Sequence, residues 1–382
     1  MKILIVGISV RAIVESAVKS RYAVLALDAF GDRDLKLLTT TCSLHHDFDA
    51  RYSTEALLKA SRRLSYDAVA YTSNLENHPA MIRRIAGNRP VIGNSPEAVS
   101  AVRDWKRLFA TLQQAGFSVP DTVFADDNRP INGSRPWLVK PLLSGGGHGI
   151  IFAQRGHETD DESMLQEYIE GISGSASFIA NGRECVVIGI AQQLTGMHQF
   201  GSKGFRYCGN ILPLPDMLIP EKCRLILEQV YAMAGFLTRN YGLKGVNGID
   251  FILKDDRVYM TEVNPRYSAS MELIERAYGL PVFHLHEQAS VYDRLPEFRL
   301  EAAIECSKFF GKAILFAERD ASAPETRSWI EVNLRDIPES GEKLHKGSPV
   351  CTILTSGQTY AETMADLIRR AAVLKEEIKD AH

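Results

Sequence analysis

Short apolar runs punctuate the first hundred residues, and each ends at a turn-forming or charged residue. Ile3–Val6 follows Lys2 and stops at Gly7, and Ala23–Leu27 and Ala68–Tyr71 repeat the pattern. Between them lie stretches with helical spacing, Ala12–Lys19 and Glu55–Leu64. Continuously apolar strands alternating with helices predict a parallel sheet covered on both faces. Such sheets hold ligands beyond the carboxyl ends of their strands. Gly7–Arg11, Asp28–Asp34 and Tyr71–Glu76 fall at those ends, which makes Ser9, Arg11, Asn74 and Glu76 substrate-site candidates. Gly7–Ala12 lacks the second and third glycines of a dinucleotide fingerprint, so a plain tight turn is the better account.

Asn94-Ser95-Pro96-Glu97 has the chemistry of a helix start. Ala98, Val102, Trp105, Phe109 and Leu112 follow at helical spacing and predict one helix over 98–113, ended by Gly116. A second long helix is predicted over 221–239, with Cys223, Ile226, Leu227, Val230, Ala234 and Leu237 on one face. Beyond about 296 the pattern changes to short strand-like runs, Ala313–Phe316 and Val350–Leu354, before a closing helix over 361–379. The predicted fold class is α/β (α+β): an N-terminal parallel α/β domain over 1–95, a central domain over 96–295, and a small β-rich C-terminal module over 296–382.

The chain has 382 residues and a formal net charge of −3, with no Lys/Arg-rich block. Nucleic-acid binding, which needs a concentrated basic face, is not expected. The opening apolar run is too short for a signal peptide or a bilayer span. The six cysteines are scattered, without a Cys-x-x-Cys pair, as in reduced proteins. A soluble cytoplasmic protein with no membrane partner is expected. His45-His46 and His284-Leu285-His286 lack an evident third ligand and are expected to be surface or packing residues.

The residues between 100 and 266 carry the chemistry. Lys140 ends the strand-like Trp137–Pro141 and is followed by Ser144, Gly145, Gly146 and Gly147, then His148 and Gly149. A strand lysine before a glycine-rich loop suits polyphosphate binding, because backbone N–H groups approach the phosphates closely only where side chains are absent. Leu165-Gln166-Glu167-Tyr168-Ile169 is an extended segment able to read an adenine edge through its backbone. Asp250 lies in one apolar strand, and Glu262 and Asn264 lie two apart in the next, across a Lys254–Arg257 turn. Glu262 and Asn264 therefore share a face, and the hairpin folds Asp250 towards it. Two carboxylates and an amide oxygen suit Mg²⁺ held jointly with phosphates, and unpaired acids buried among Val, Ile and Met would otherwise be costly. Lys106 becomes a candidate second cation over the nucleotide.

In this order and spacing, residues 95–290 resemble the ATP-grasp superfamily, with the preceding α/β domain as its usual companion. The resemblance implies ATP on Lys106, Lys140, Ser144–Gly147 and Gln166–Ile169, and Mg²⁺ (Mn²⁺ as a substitute) on Asp250, Glu262 and Asn264. It implies a ligase in which a carboxylate is phosphorylated and then attacked by an amine, with Arg266 offsetting the developing charge. Lys203 and Arg206, in the loop Gln199–Tyr207, are candidates for an anionic substrate, and a homodimer is common among such proteins. The sequence departs from the family pattern after Gly171: Ile172-Ser173-Gly174-Ser175 replaces the usual ribose-binding glutamate, leaving Glu170 or a serine for that contact. Within the superfamily the chain resembles carboxylate–amine ligases of methanofuran- and tetrahydromethanopterin-linked one-carbon metabolism, such as one joining tyramine to glutamate. Asp336-Ile337-Pro338 and Gly347-Ser348-Pro349-Val350 also resemble the biotin-carboxylase-like branch, which implies a bicarbonate-using alternative. A non-catalytic ATP-binding module is the alternative from another class.

Overall fold

The computed structural model describes residues 1–127, 133–154, 156, 159–305 and 308–380; Cys306 lies outside them. Five strands form the first sheet, in the order Thr41–Ser43, Ala23–Asp28, Lys2–Val6, Ala68–Tyr71 and Val91–Ile92, and all pair in parallel. The apolar runs are continuous because both faces are covered. Leu4, Val6, Leu25 and Leu27 pack on Leu57, Leu58, Ile82 and Ile85. Their neighbours Ile3, Ile5, Val24 and Ala26 point the other way, towards Ile13, Val14 and Ala17 and on to Val282 and Phe283 of the central region.

The predicted helix over 98–113 is instead two helices, Pro96–Val102 and Trp105–Gln114. The break has a local cause: the Asp104 side chain accepts from the backbone N–H of Arg107 and starts a new helix there. Trp105, Leu108, Phe109 and Leu112 still bury one face, against a core that includes Ile226, Val230, Phe251 and Met260. The second long helix runs Pro220–Tyr241 and ends at Gly242, whose φ of 63° is left-handed.

Two antiparallel sheets carry the rest of the main strands. The smaller has the order Thr122–Val123, Ser163–Glu167, Trp137–Pro141, Ile151–Phe152. The larger starts with Arg257–Asn264, Lys244–Lys254, Ile172–Asn181, Cys185–Thr195 and Tyr207–Leu212. It then continues through Phe309–Phe316, Pro349–Gly357 and Leu334–Arg335. The C-terminal region is rich in strands: Ala321–Ser322 and Lys343–Leu344 pair in a small sheet of their own. Gly209–Leu212 pairs with Phe310–Ala313, so its main strands extend the central sheet, and Tyr360–Asp380 packs over them. Among the described residues no helix is long and apolar enough to cross a membrane.

Candidate functional site

The hairpin Lys244–Lys254/Arg257–Asn264 turns through Asp255 and Asp256, both left-handed at φ 49° and 59°. Its register sets Asp250 opposite Glu262 and Gly248 opposite Asn264. The Asn264 amide donates to Asp250 Oδ2 at 3.0 Å, so the three side chains converge as the alternation along the strands required. Burial and the neighbouring Glu262 carboxylate push Asp250 up to about 6, against hydrogen bonds from Gln193 and Ser175. Two mutually repelling carboxylates and an amide oxygen fit a hard divalent cation, which would relieve that repulsion.

Lys140 faces this set from the smaller sheet. Its ammonium donates to Gln166 Oε1 at 2.9 Å, and Gln166 is itself anchored by donating to Thr122 Oγ1 at 3.2 Å. Burial holds Lys140 below the ordinary lysine range despite the opposing pull of Glu262 and Asp250. Gln166 therefore orients the lysine with its side chain. The next two backbone N–H groups have protein partners: Glu167 N–H donates to Asp121 O at 2.7 Å and Tyr168 N–H to Pro136 O at 2.9 Å. The Glu167 carboxylate pairs with Arg135 at 2.8 Å. The Tyr168 ring sits edge-on to Phe152 and Phe205, with centroids 5.1 and 6.2 Å away. Ile169 follows, buried.

The glycine-rich loop lies down on the larger sheet. Gly146 O accepts from Tyr207 N–H at 2.9 Å, and Ser144 O accepts from the Asn77 amide at 3.2 Å. Gly147 has φ 72°, and a Cβ there would stand 1.9 Å from Phe205 O. No other residue type tolerates both conditions. Gly145 meets nothing within 4 Å and is sterically free.

Arg266 is held by the first domain. Its Nε and Nη2 donate to Glu76 Oε1 at 2.8 and 2.7 Å, and Nη2 also reaches Asn264 Oδ1 at 3.0 Å. Glu76 is only 2% exposed; burial pushes its carboxyl up, but the Arg266 guanidinium outweighs this and keeps it below the usual range. Glu76, expected at a substrate site, has its carboxylate paired with Arg266. Asn74, its neighbour, accepts from the Asn77 amide, and Ser9 lies half-buried at the adjacent strand end.

Four further candidates lie as follows in the fold. Lys106 is half-exposed and pairs with Asp126 and Asp127 at 2.7 and 3.0 Å, away from Asp250 and Glu262. The helix break makes Arg103 the cation of this segment: Nη1 donates to Glu262 Oε1 at 2.8 Å, Nη2 donates to Asn77, and the guanidinium stacks over Trp105 at 4.2 Å. Arg11 is 1% exposed and ion-paired to Glu272, Glu15 and Asp336, so it joins the first domain to the C-terminal strands instead of awaiting a substrate. Arg206 stacks on Phe316 at 3.7 Å and donates to Gly347 O at 2.8 Å, while Lys203 stays exposed beside the same region. Arg103, Asn77, Tyr207 and Gln193 lie outside the predicted site residues, and Ser175 enters as a partner of Asp250, where a serine is expected only at the ribose. The one available hint was Asp104, a capping residue inside a presumed continuous helix.

Among the described residues no group of three or more His, Cys, Asp or Glu could hold a metal ion. His286 is packed inside: it accepts from Val246 N–H at 2.9 Å, and burial pulls it down to about 4.

Residues 102–270 match the family model described as an ATP-grasp domain. Over 375 residues (93% of this chain and 88% of the other) the chain is 26% identical to an uncharacterized protein of Methanocaldococcus jannaschii. It is 27% identical to the carbamoyl phosphate synthase large chain of Kocuria rhizophila over 215 residues, 51% of this chain but only 18% of that one. Among solved structures, an L-amino acid ligase from Bacillus licheniformis superposes with a TM-score of 0.67 at 17% identity, covering 98% of this chain and 97% of the ligase. The biotin carboxylase of Campylobacter jejuni gives 0.69 at 15% identity, with 99% and 91% covered. The fold is the ATP-grasp fold.

Proposed function

We propose, starting from a chain whose fold and matched domain are those of the ATP-grasp superfamily, that this protein is an ATP- and Mg²⁺-dependent carboxylate–amine ligase. The observation that carries the proposal is the convergence of Asp250, Glu262 and Asn264 opposite Lys140, with Arg266 aimed across them by Glu76.

Asp250, Glu262 and Asn264 would hold Mg²⁺, which would supply positive charge to offset that of the nucleotide phosphates. Lys140 neutralises phosphate from the other wall, and the backbone of Gly145–Gly147 covers it. A carboxylate oxygen of the acid substrate attacks the γ-phosphorus, and ADP leaves. The amine nitrogen then attacks the acyl carbon, phosphate departs, and the nitrogen loses its proton. Arg266 lies where charge grows in both steps, and because Glu76 fixes it beforehand, no reorientation is needed during the reaction. The loop resting on Phe205–Tyr207 keeps water from the acyl phosphate. The closer family resemblance favours glutamate as the acid and an amine such as tyramine as the acceptor. Mn²⁺ would replace Mg²⁺, since the donors are oxygens alone.

The test is ADP release across acid and amine pairs, beginning with glutamate plus tyramine, with Asp250→Asn and Glu262→Gln alongside. Release that needs both partners and vanishes in both variants supports the ligase. Release with bicarbonate alone would transfer the proposal to carboxyphosphate chemistry, which the similarity to carbamoyl phosphate synthase segments favours. Nucleotide binding without any turnover would leave a binding module.

A further inference from the structure

Arg103 connects parts of the protein that no local motif joins. Nη1 donates to Glu262 Oε1 at 2.8 Å and also reaches Val263 O at 3.3 Å. The other end of the guanidinium, Nη2, donates to Asn77 Oδ1, and the Asn77 amide donates to Ser144 O in the glycine-rich loop. The planar fork lies over the Trp105 ring at 4.2 Å, and Lys140 is close enough to feel both its charge and that of Glu262. One side chain thus occupies a carboxylate of the proposed metal site while tethering the loop proposed to cover the phosphates.

We propose that Arg103 competes with a divalent ion for Glu262 and, when the ion holds that carboxylate, turns its guanidinium to the nucleotide phosphates while Asn77 keeps the loop seated. The inference rests on the metal and nucleotide site described above. Its physical basis is competition. An ion pair that occupies Glu262 for most of the time lowers the apparent metal affinity by the fraction of time the carboxylate is free. Once a divalent ion holds Glu262, the displaced guanidinium has an anionic partner within reach, and its fork suits phosphate oxygens.

Arg103 should therefore affect two ligands in opposite directions. In Arg103→Met, Mn²⁺ alone, titrated by electron paramagnetic resonance without nucleotide, is expected to bind about tenfold more tightly than in the unsubstituted protein. Mg²⁺–ATP binding, followed by calorimetry, is expected to weaken about tenfold. Arg103→Gln, which keeps a donor for Asn77, serves as a second neutral variant should the methionine variant fold poorly, and it should show the same pair of signs. A merely structural role would weaken both ligands together, so same-direction changes, or an unchanged Mn²⁺ affinity, overturn the inference. Glu262→Gln separates the two levels of the account. It should lose Mn²⁺ with or without Arg103, and if it binds Mn²⁺ normally, the metal-site proposal itself fails rather than the role of Arg103.

Discussion

Replacing Arg11 by methionine should destabilise the protein severely, and by an amount that depends on pH. The guanidinium is 1% exposed and donates to both oxygens of Glu272, to both oxygens of Asp336 (3.0 and 3.2 Å) and to Glu15 at 3.0 Å, with Asp34 at 3.6 Å. Lys312, 2.6 Å from Glu272, is the cation left to serve that carboxylate. Removing one partner of a buried ion pair costs about 3–5 kcal/mol, because the other charge stays behind uncompensated. Burial already pushes Asp28 up to about 7, and burial outweighs the Arg11 charge in taking Asp34 up to about 6. Burial would raise Glu272 and Asp336 too, but Arg11 outweighs it, with help from Lys312, and holds both below the usual range.

The signs follow from linkage. Raised acids such as Asp28 and Asp34 stabilise the fold when protonated, and that contribution is lost as pH rises through about 6 to 7. Depressed acids such as Glu272 and Asp336 stabilise it when ionised, and theirs is lost on acidification towards their folded values. Without Arg11, Glu272 and Asp336 cease to be depressed and are protonated more readily. The deficit of Arg11→Met should then be about 4 kcal/mol at pH 8 and about 2 kcal/mol at pH 5.5, one unit of pKa being worth about 1.4 kcal/mol. Urea denaturation of both proteins at the two pH values measures it. A deficit under about 1 kcal/mol, or one equal at both pH values, would refute the role assigned to Arg11.

Three further outcomes follow from the same geometry. Gly147→Ala meets Phe205 O and a left-handed φ, so turnover should fall more than about tenfold while the melting temperature changes little, because the loop is peripheral to the core. Lys106→Ala should change the affinity for ATP less than about twofold in binding assays, since its partners are surface aspartates and exposed pairs contribute about 0–1 kcal/mol. Glu76→Gln removes the charge that aims Arg266, so kcat should drop about 10- to 100-fold with a much smaller change in the KM for ATP, as steady-state kinetics would show.

What was legible in the sequence depended on distance along the chain. The Asp250/Glu262/Asn264 set could be placed because two adjacent strands and a polar turn fix it through simple alternation. The parallel first sheet was legible for the same reason, as its apolar runs carry their own period. The ion pairs of Arg11 are not legible locally: its partners Glu272 and Asp336 lie 261 and 325 residues away and no local pattern points to them. Arg103 pairs with Glu262 and Lys106 with Asp126 on either side of a helix break that a single capping hydrogen bond at Asp104 creates, and the helical spacing alone does not show that break. The pairing of Tyr207–Leu212 with Phe309–Phe316 likewise joins segments about a hundred residues apart, which no local pattern announces.

The most direct test of the proposed chemistry follows oxygen from the acid substrate. A glutamate carboxylate labelled with ¹⁸O is incubated with the protein, ATP, Mg²⁺ and the amine, and the released phosphate is examined by mass spectrometry. Attack of the carboxylate on the γ-phosphorus predicts one ¹⁸O in phosphate for every amide formed. Amide product accompanied by unlabelled phosphate would contradict the acyl-phosphate route.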